Sequence, residues 1–183
     1  MMHKKRDYLW DNISSLPYFR GLLRAVEARF YENIQLPEPI LDLGCGDGHF
    51  SSIAFTKPLT VGLDPWTGPV SKAYKTGNYQ WVIQGEGNRV PFSDAYFSCA
   101  VSNSVLEHIP DLEPVIKELN RVLKKGSPFI FCVPNDKFLK NLSIARFFDK
   151  LGLRSRARKY RRFFNKISRH YHSDPHSVWE RRL

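Results

Sequence analysis

The sequence lacks any apolar run approaching the roughly 18–20 residues that a membrane-spanning helix requires. Its first residues, Met1-Met2-His3-Lys4-Lys5-Arg6-Asp7, carry charge with no apolar stretch behind them, so no secretory leader is expected. Cysteine is scarce. Cys45, Cys99 and Cys132 are odd in number, far apart and set in apolar segments, which fits reduced, buried thiols of a cytosolic protein and excludes a disulfide framework. No internal repeat or low-complexity tract is visible. Disorder is excluded as well, because 42% of the 183 residues are hydrophobic and 14% aromatic, enough for a real core in a chain of this length.

The formal net charge is +10, and its location matters more than its size. Residues 146–169 hold ten Lys and Arg (Arg146, Lys150, Arg154, Arg156, Arg158, Lys159, Arg161, Arg162, Lys166, Arg169) against Asp149 alone, a local charge of +9. The remaining 18 basic and 17 acidic residues nearly cancel. A neutral domain therefore carries one strongly basic segment.

From about Leu16 to Ile34, the residues Leu16, Phe19, Leu22, Leu23, Val26, Phe30 and Ile34 recur at helical spacing, until Pro37 and Pro39 end the element. Short apolar runs then alternate with helical stretches. Strands are expected at Ile40–Leu43, Leu59–Asp64, Gln80–Gln84, Tyr96–Ser102 and Phe129–Val133. Helices are expected from His49 to about Thr56, near Pro69–Lys75, and over Asp111–Lys124 with Asp111 as N-cap. Such alternation implies an α/β, doubly wound, mostly parallel sheet covered on both faces, with ligands beyond the carboxyl ends of its strands. Three regions follow: an N-terminal helical region at 1–39, an α/β core at 40–135, and a basic helical lid or insertion at 136–183 that ends in the start of a further helix.

The strongest signal is Asp42-Leu43-Gly44-Cys45-Gly46-Asp47-Gly48, which joins a strand to a helix. Alternate glycines permit a tight turn and close approach of backbone to a ligand. A dinucleotide turn would offer a third glycine where this chain has His49. An anion would also be poorly received beside Asp42, whereas a cationic, amino-bearing ligand would be welcome. Asp64 ends the second strand, placed for a ribose diol or, alternatively, for a turn before Pro65. Glu86 follows the third strand, where its carboxylate could accept from an exocyclic amine. Ser102-Asn103-Ser104-Val105-Leu106-Glu107-His108-Ile109 closes the fourth. Polar groups thus gather at the same end of four successive strands.

These residues resemble the class I S-adenosylmethionine-dependent methyltransferases, in particular the small-molecule branch that includes ubiquinone and menaquinone biosynthesis enzymes. Ile40–Gly48 is similar to the family's first motif, and Val61-Gly62-Leu63-Asp64 to the acidic end of its second strand. Gly85-Glu86-Gly87-Asn88-Arg89-Val90-Pro91-Phe92 resembles its G-D-A-x-x-L-P-F loop, with Glu for Asp and Gly for Ala. Ser102–Ile109 and Glu118–Gly126 resemble its later motifs, so the likeness covers residues 40–135. It implies S-adenosyl-L-methionine as cofactor, held by Asp42, Gly44, Cys45, Gly46, Gly48, Asp64, Pro65, Trp66, Glu86, Gly87, Asn103 and Ser104. In that scheme Asp42 and the turn hold the methionine moiety, Asp64 the ribose, Trp66 and Glu86–Gly87 the adenine, while Asn103 and Ser104 lie near the sulfonium. Full domains of this class continue to a sixth strand and an antiparallel seventh. This chain, ending at Ser177–Leu183, is expected to lack those last two strands and to leave an exposed edge.

Methyl transfer from a sulfonium needs little beyond positioning and exclusion of water. His108 is the candidate base if the acceptor must lose a proton, or else a loop histidine packed on Pro110. Cys45 reads as a small residue within the turn rather than a nucleophile, and His49 as structural. No metal ligand set is apparent from spacing: His170, His172 and His176 have no cysteine or repeated carboxylate beside them, and read as a solvated loop.

Nucleic-acid base methyltransferases of this fold carry an Asn/Asp-Pro-Pro-aromatic motif, absent here, so a nucleic-acid partner is the less favoured expectation. Tyr160, Phe163, Phe164, Ile167 and Tyr171 interleave with the basic residues of 146–169, as in an amphipathic helix lying on an anionic membrane surface and admitting a lipid, quinone or isoprenoid acceptor. RNA phosphates and plain packing on the domain are the alternatives. The expected function is methyl transfer to a small or lipid-like acceptor by a cytoplasmic protein peripheral to a membrane. A cofactor-binding but inactive membrane-associated partner, an RNA methyltransferase and a nicotinamide-dependent oxidoreductase compete with it.

Overall fold

The computed structural model describes residues 6–182, so Met1–Lys5 of the charged N-terminus and the final Leu183 lie outside the described residues. Among the described residues the chain forms two compact units, one running to Asn103 and resuming at Lys117–Phe131, the other made of Ser104–Ile116 and the chain from Cys132 onward.

The first unit is built on strands β1 (Ile40–Leu43), β2 (Leu59–Asp64), β3 (Tyr79–Gln84), β4 (Cys99–Asn103) and β5 (Phe129–Cys132), in the order β3-β2-β1-β4-β5. β1 pairs in parallel with both β2 and β4, and β2 with β3, which brings the carboxyl ends to one edge of the sheet. Chain order reverses between β1 and β4, the crevice where open α/β sheets bind ligands. β1 and β2 are buried along their whole length, as befits central parallel strands covered on both faces. The expected α/β, doubly wound architecture is therefore observed, with five strands among the described residues.

Helices α3 (His49–Ala54), α4 (Thr67–Thr76) and α5 (Glu113–Val122) alternate with the strands. α5 begins two residues later than the sequence suggests, and the Asp111 carboxylate accepts from the Glu113 N–H at 3.3 Å. β4 starts at Cys99 instead of Tyr96, because Phe97 makes only an isolated bridge to Leu123. Downstream lie α6 (Ser143–Lys150), α7 (Arg154–Ser168) and α8 (His176–Arg182), with α6 packed on α7. Ala157 and Trp179 are buried.

The N-terminal region departs from its sequence pattern. An additional helix, α1 (Tyr8–Ile13), precedes α2 (Tyr18–Phe30), and Asp7 caps it through the Trp10 N–H. α2 packs through its small residues Gly21, Ala25 and Ala28, whereas Phe19, Leu22, Val26 and Phe30 face outward. A Cβ on Gly21 would lie 3.1 Å from the Ile13 Cα, so close helix contact, not the apolar stripe, selects the buried side. Cys45 and Cys99 are buried and Cys132 is half-buried, and none of the three is in a disulfide.

Two features set up the site. Arg121 donates to Glu118 and Asp94 and to the carbonyls of Val90 and Phe92, while Glu118 accepts from the Val90 N–H at 2.7 Å. The motif residues of α5 thereby fasten the loop that follows β3. Gly62, inside β2, leaves room for a neighbouring side chain: a Cβ there would lie 3.0 Å from the Tyr79 ring and 3.1 Å from the Cys45 Cβ. Gly62→Val is expected to lower stability by about 2–3 kcal/mol through overpacking, measured by urea unfolding.

Candidate active site

The turn after β1 is tied to β2 by backbone bonds, the N–H groups of Gly44 and Cys45 both donating to the Leu63 carbonyl at 2.8 and 3.0 Å. Asp64 completes the tie. Its Oδ2 accepts from the Gly46 N–H and its Oδ1 from the Trp66 N–H, each at 3.0 Å. One carboxylate thus organises the glycine turn and the chain leaving β2, including Pro65, and keeps its remaining lone pairs for a ligand. Gly46 has φ +57° and nothing within 4 Å of where a Cβ would stand, so the turn leaves open space on that side. Gly48, at φ +76°, is required for packing, since a Cβ there would sit 3.2 Å from the Ala73 Cα and Thr76 in α4.

Asp42 lies within β1, buried, with Oδ2 accepting from the Tyr79 hydroxyl at 2.6 Å. Burial pushes its carboxyl up to about 7, against the lowering pull of the Tyr79 hydrogen bond and with some help from the charge of Asp64. Burial together with the Asp42 charge pushes the Tyr79 hydroxyl far upward in turn, so it remains a donor. Nothing in the sequence singles out Tyr79. Its role follows from the register that sets β3 beside β2, and from Gly62 leaving it room.

Asn103, at the end of β4, donates through Nδ2 to Glu27 of α2 at 2.8 Å, a partner 76 residues away that no sequence pattern signals. Its Oδ1 is buried without a hydrogen-bond partner. Ser102 donates to the Leu43 carbonyl. Glu86 is exposed, Gly87 half-buried, and the Glu86 carbonyl accepts from the Arg89 N–H in the loop held by Glu118 and Arg121. Trp66 is 70% exposed, its indole available for stacking.

Burial pushes the Cys45 thiol up, reinforced by Asp42 and Asp64, so it is inert as a nucleophile at neutral pH. His49 faces Asn12 at 3.3 Å, and burial lowers its imidazole below the usual range. Both observations agree with the structural roles read from the sequence.

Ser104 and His108 belong to the second unit. Ser104 has φ +54° and donates its N–H to the Cys132 carbonyl. His108 is exposed and engages the Arg169 carbonyl through Nδ1 at 3.2 Å.

An S-adenosylmethionine-type ligand suits the donor set of the first unit. Two buried carboxylates near the ends of adjacent strands, Asp42 pushed up to about 7 chiefly by burial, accommodate a cation, whereas a pyrophosphate would meet them as a further anion. The orphaned Asn103 Oδ1 calls for a donor, and the space beside Gly46 is open.

The comparisons with known proteins agree with this geometry. Residues 41–131 match the family described as a methyltransferase domain. A malonyl-acyl-carrier-protein O-methyltransferase of Legionella pneumophila is 28% identical over 132 residues, covering 67% of this chain and 46% of that protein. A sterol 4-C-methyltransferase of Caenorhabditis elegans is 32% identical over 134 residues, covering 62% of this chain and 38% of that protein. A solved structure from Pyrococcus horikoshii shares the fold at TM-score 0.58 and 23% identity, covering 72% of this chain and 66% of that one. The chain belongs to the class I S-adenosylmethionine-dependent methyltransferases, and it spans less than half the length of these two curated relatives.

The Asp42 carboxyl gives a pH signature. Its value near 7 in the folded chain exceeds the roughly 3.9 of an unfolded aspartate. The folded state therefore holds the proton more tightly, and the stability conferred by that proton is complete below the unfolded value and lost as pH rises through about 7. Asp42→Asn, which keeps an acceptor for Tyr79, is expected to stabilise the domain at pH 8 by an amount on the order of a few kcal/mol, shrinking toward pH 4. Thermal unfolding across this range checks the trend.

Proposed function

We propose that this chain transfers a methyl group from S-adenosylmethionine to a small or lipid-like acceptor. The observation that carries the reading is the pair of buried carboxylates, Asp42 and Asp64, at the ends of β1 and β2 around an open glycine turn. In this reading Asp42 and the backbone of Gly44, Cys45 and Gly46 hold the amino-acid end of the cofactor, and Asp64 accepts from the ribose hydroxyls. Pro65 and Trp66 face the adenine, Glu86 and Gly87 meet its edge, and the Asn103 Oδ1 takes a donor from the ligand, with Ser104 following it in the chain. Gly48 contributes by keeping α3 against α4. When bound, the cofactor supplies an activated methyl group on a sulfonium, so the protein's task is to orient the acceptor and exclude water.

Calorimetric titration with S-adenosylhomocysteine, with NADH as the control, tests the reading. Saturable one-site binding of the former alone supports it, and no binding by the folded chain removes it. Asp64→Ala is expected to weaken this affinity more than tenfold, since a buried charge-assisted acceptor is lost. Methyl transfer to an added acceptor then distinguishes an enzyme from a cofactor-binding partner protein.

The relatives named for malonyl-acyl-carrier-protein and sterol methylation support a small-molecule or lipid-like acceptor. The second unit supports a lipid surface as its source. α7 divides its aromatics: Tyr160 and Phe164 turn inward, Phe164 lying near Phe138, while Phe163 and Ile167 are 60% and 59% exposed among Arg158, Lys159, Arg162 and Lys166. Ile144 and Phe147 are exposed on α6, and Leu151 just after it. Among the described residues no helix is long and apolar enough to cross a membrane, so the reading is of a helix pair lying on an anionic surface, aromatics down and cations toward the headgroups. Anionic vesicles should capture the chain with strong salt dependence. Replacing both Phe163 and Ile167 with Ala should lower partitioning by about tenfold or more, since each buries an apolar side chain on docking.

A further inference from the structure

His170 follows α7 directly, and Arg169 turns the chain there in the left-handed conformation at φ +51°. The backbone beyond it is pinned to the segment after β4: the Tyr171 N–H donates to the Glu107 carbonyl at 2.7 Å, and His172 Nε2 meets the Ile109 carbonyl at 2.9 Å. This pairing sets the imidazoles of His108 and His170 5.0 Å apart at their centroids, beside the Glu107 side chain, which is only 2% exposed. One donor atom from each of Glu107, His108 and His170 lies within 4.8 Å of the other two.

The protonation pattern suits a ligand set. A carbonyl only accepts, so His108 Nδ1, 3.2 Å from the Arg169 carbonyl, carries the proton. His108 Nε2, the ring nitrogen left for a ligand, then lies 3.9 Å from Glu107 Oε1. A backbone carbonyl fixing the tautomer is the usual support of a ligating histidine. The Nδ1 of His170 is buried without a hydrogen-bond partner.

We propose that Glu107, His108 and His170 bind one divalent transition-metal ion of the zinc type. Two imidazole nitrogens are borderline donors and, with one carboxylate oxygen, favour such ions. Hard cations such as Mg²⁺ or Ca²⁺ prefer all-oxygen ligand sets and are disfavoured by the two imidazoles. Bonds of about 2.0–2.2 Å require the donors to close by roughly 1 Å, within reach of side-chain rotation. The ion would staple the end of the basic helical segment to the segment after β4, and it gives His108 a ligand's role in place of the general base expected from sequence. The proposal rests on this cluster alone and stands whether or not methyl transfer is found.

The full chain, stripped with a chelator, is titrated with Zn²⁺ by calorimetry and with Co²⁺ by visible absorption. One equivalent of each is expected to bind, with the d–d bands of nitrogen- and oxygen-ligated Co²⁺ and a rise in thermal midpoint on Zn²⁺ addition. His108→Gln, at an exposed position that leaves the fold intact, should weaken Zn²⁺ binding by about tenfold or more, and His170→Ala should do the same. His176→Ala, outside the cluster, should not. Absence of one-equivalent binding by the folded chain overturns the proposal, as does undiminished affinity in His108→Gln.

Discussion

The organising constraint is a pair of acidic side chains held out of water at the ends of adjacent parallel strands. Asp64 accepts from two backbone N–H groups, those of Gly46 and Trp66. Asp42 has one strong donor, the Tyr79 hydroxyl, and burial pushes its carboxyl up to about 7. Different hydrogen-bond partners thus distinguish two carboxylates that look alike in the sequence.

Much of the surrounding structure serves that arrangement. Gly62 leaves room for the Tyr79 ring, and the parallel register of β2 and β3 places that ring beside β1. Leu63 accepts both turn amides, so the glycine turn cannot move independently of β2. Glu118 and Arg121 lock the loop after β3. These hydrogen bonds are of moderate strength individually, but they converge on one edge of the sheet.

The two apolar surfaces differ in kind. On α2 two of the outward residues, Leu22 and Val26, line a cavity of about 460 Å³ with Leu9 and Arg29, and the helix is held by its small residues instead. On α7 the outward Phe163 and Ile167 are set among cations instead.

Local chemistry was enough to read β1 and β2, the glycine turn and the order of the α/β units. Strand runs, glycines and terminal acids are contiguous, and their period is a property of the backbone. For the same reason the acidic strand ends were legible as a cation-favouring edge. The tertiary structure decided what depends on residues far apart in the chain. Tyr79 reaches Asp42 across 37 positions, Glu27 reaches Asn103 across 76, and His108 meets a backbone carbonyl 61 residues on, where His170 follows. It also decided which face of α2 is buried, because close approach at Gly21 outweighed an apolar stripe that periodicity alone would have turned inward. Sequence fixes which groups are available and how each segment curls, whereas the partner of a buried polar atom is set by packing, since only the folded chain removes water and leaves one neighbour to replace it.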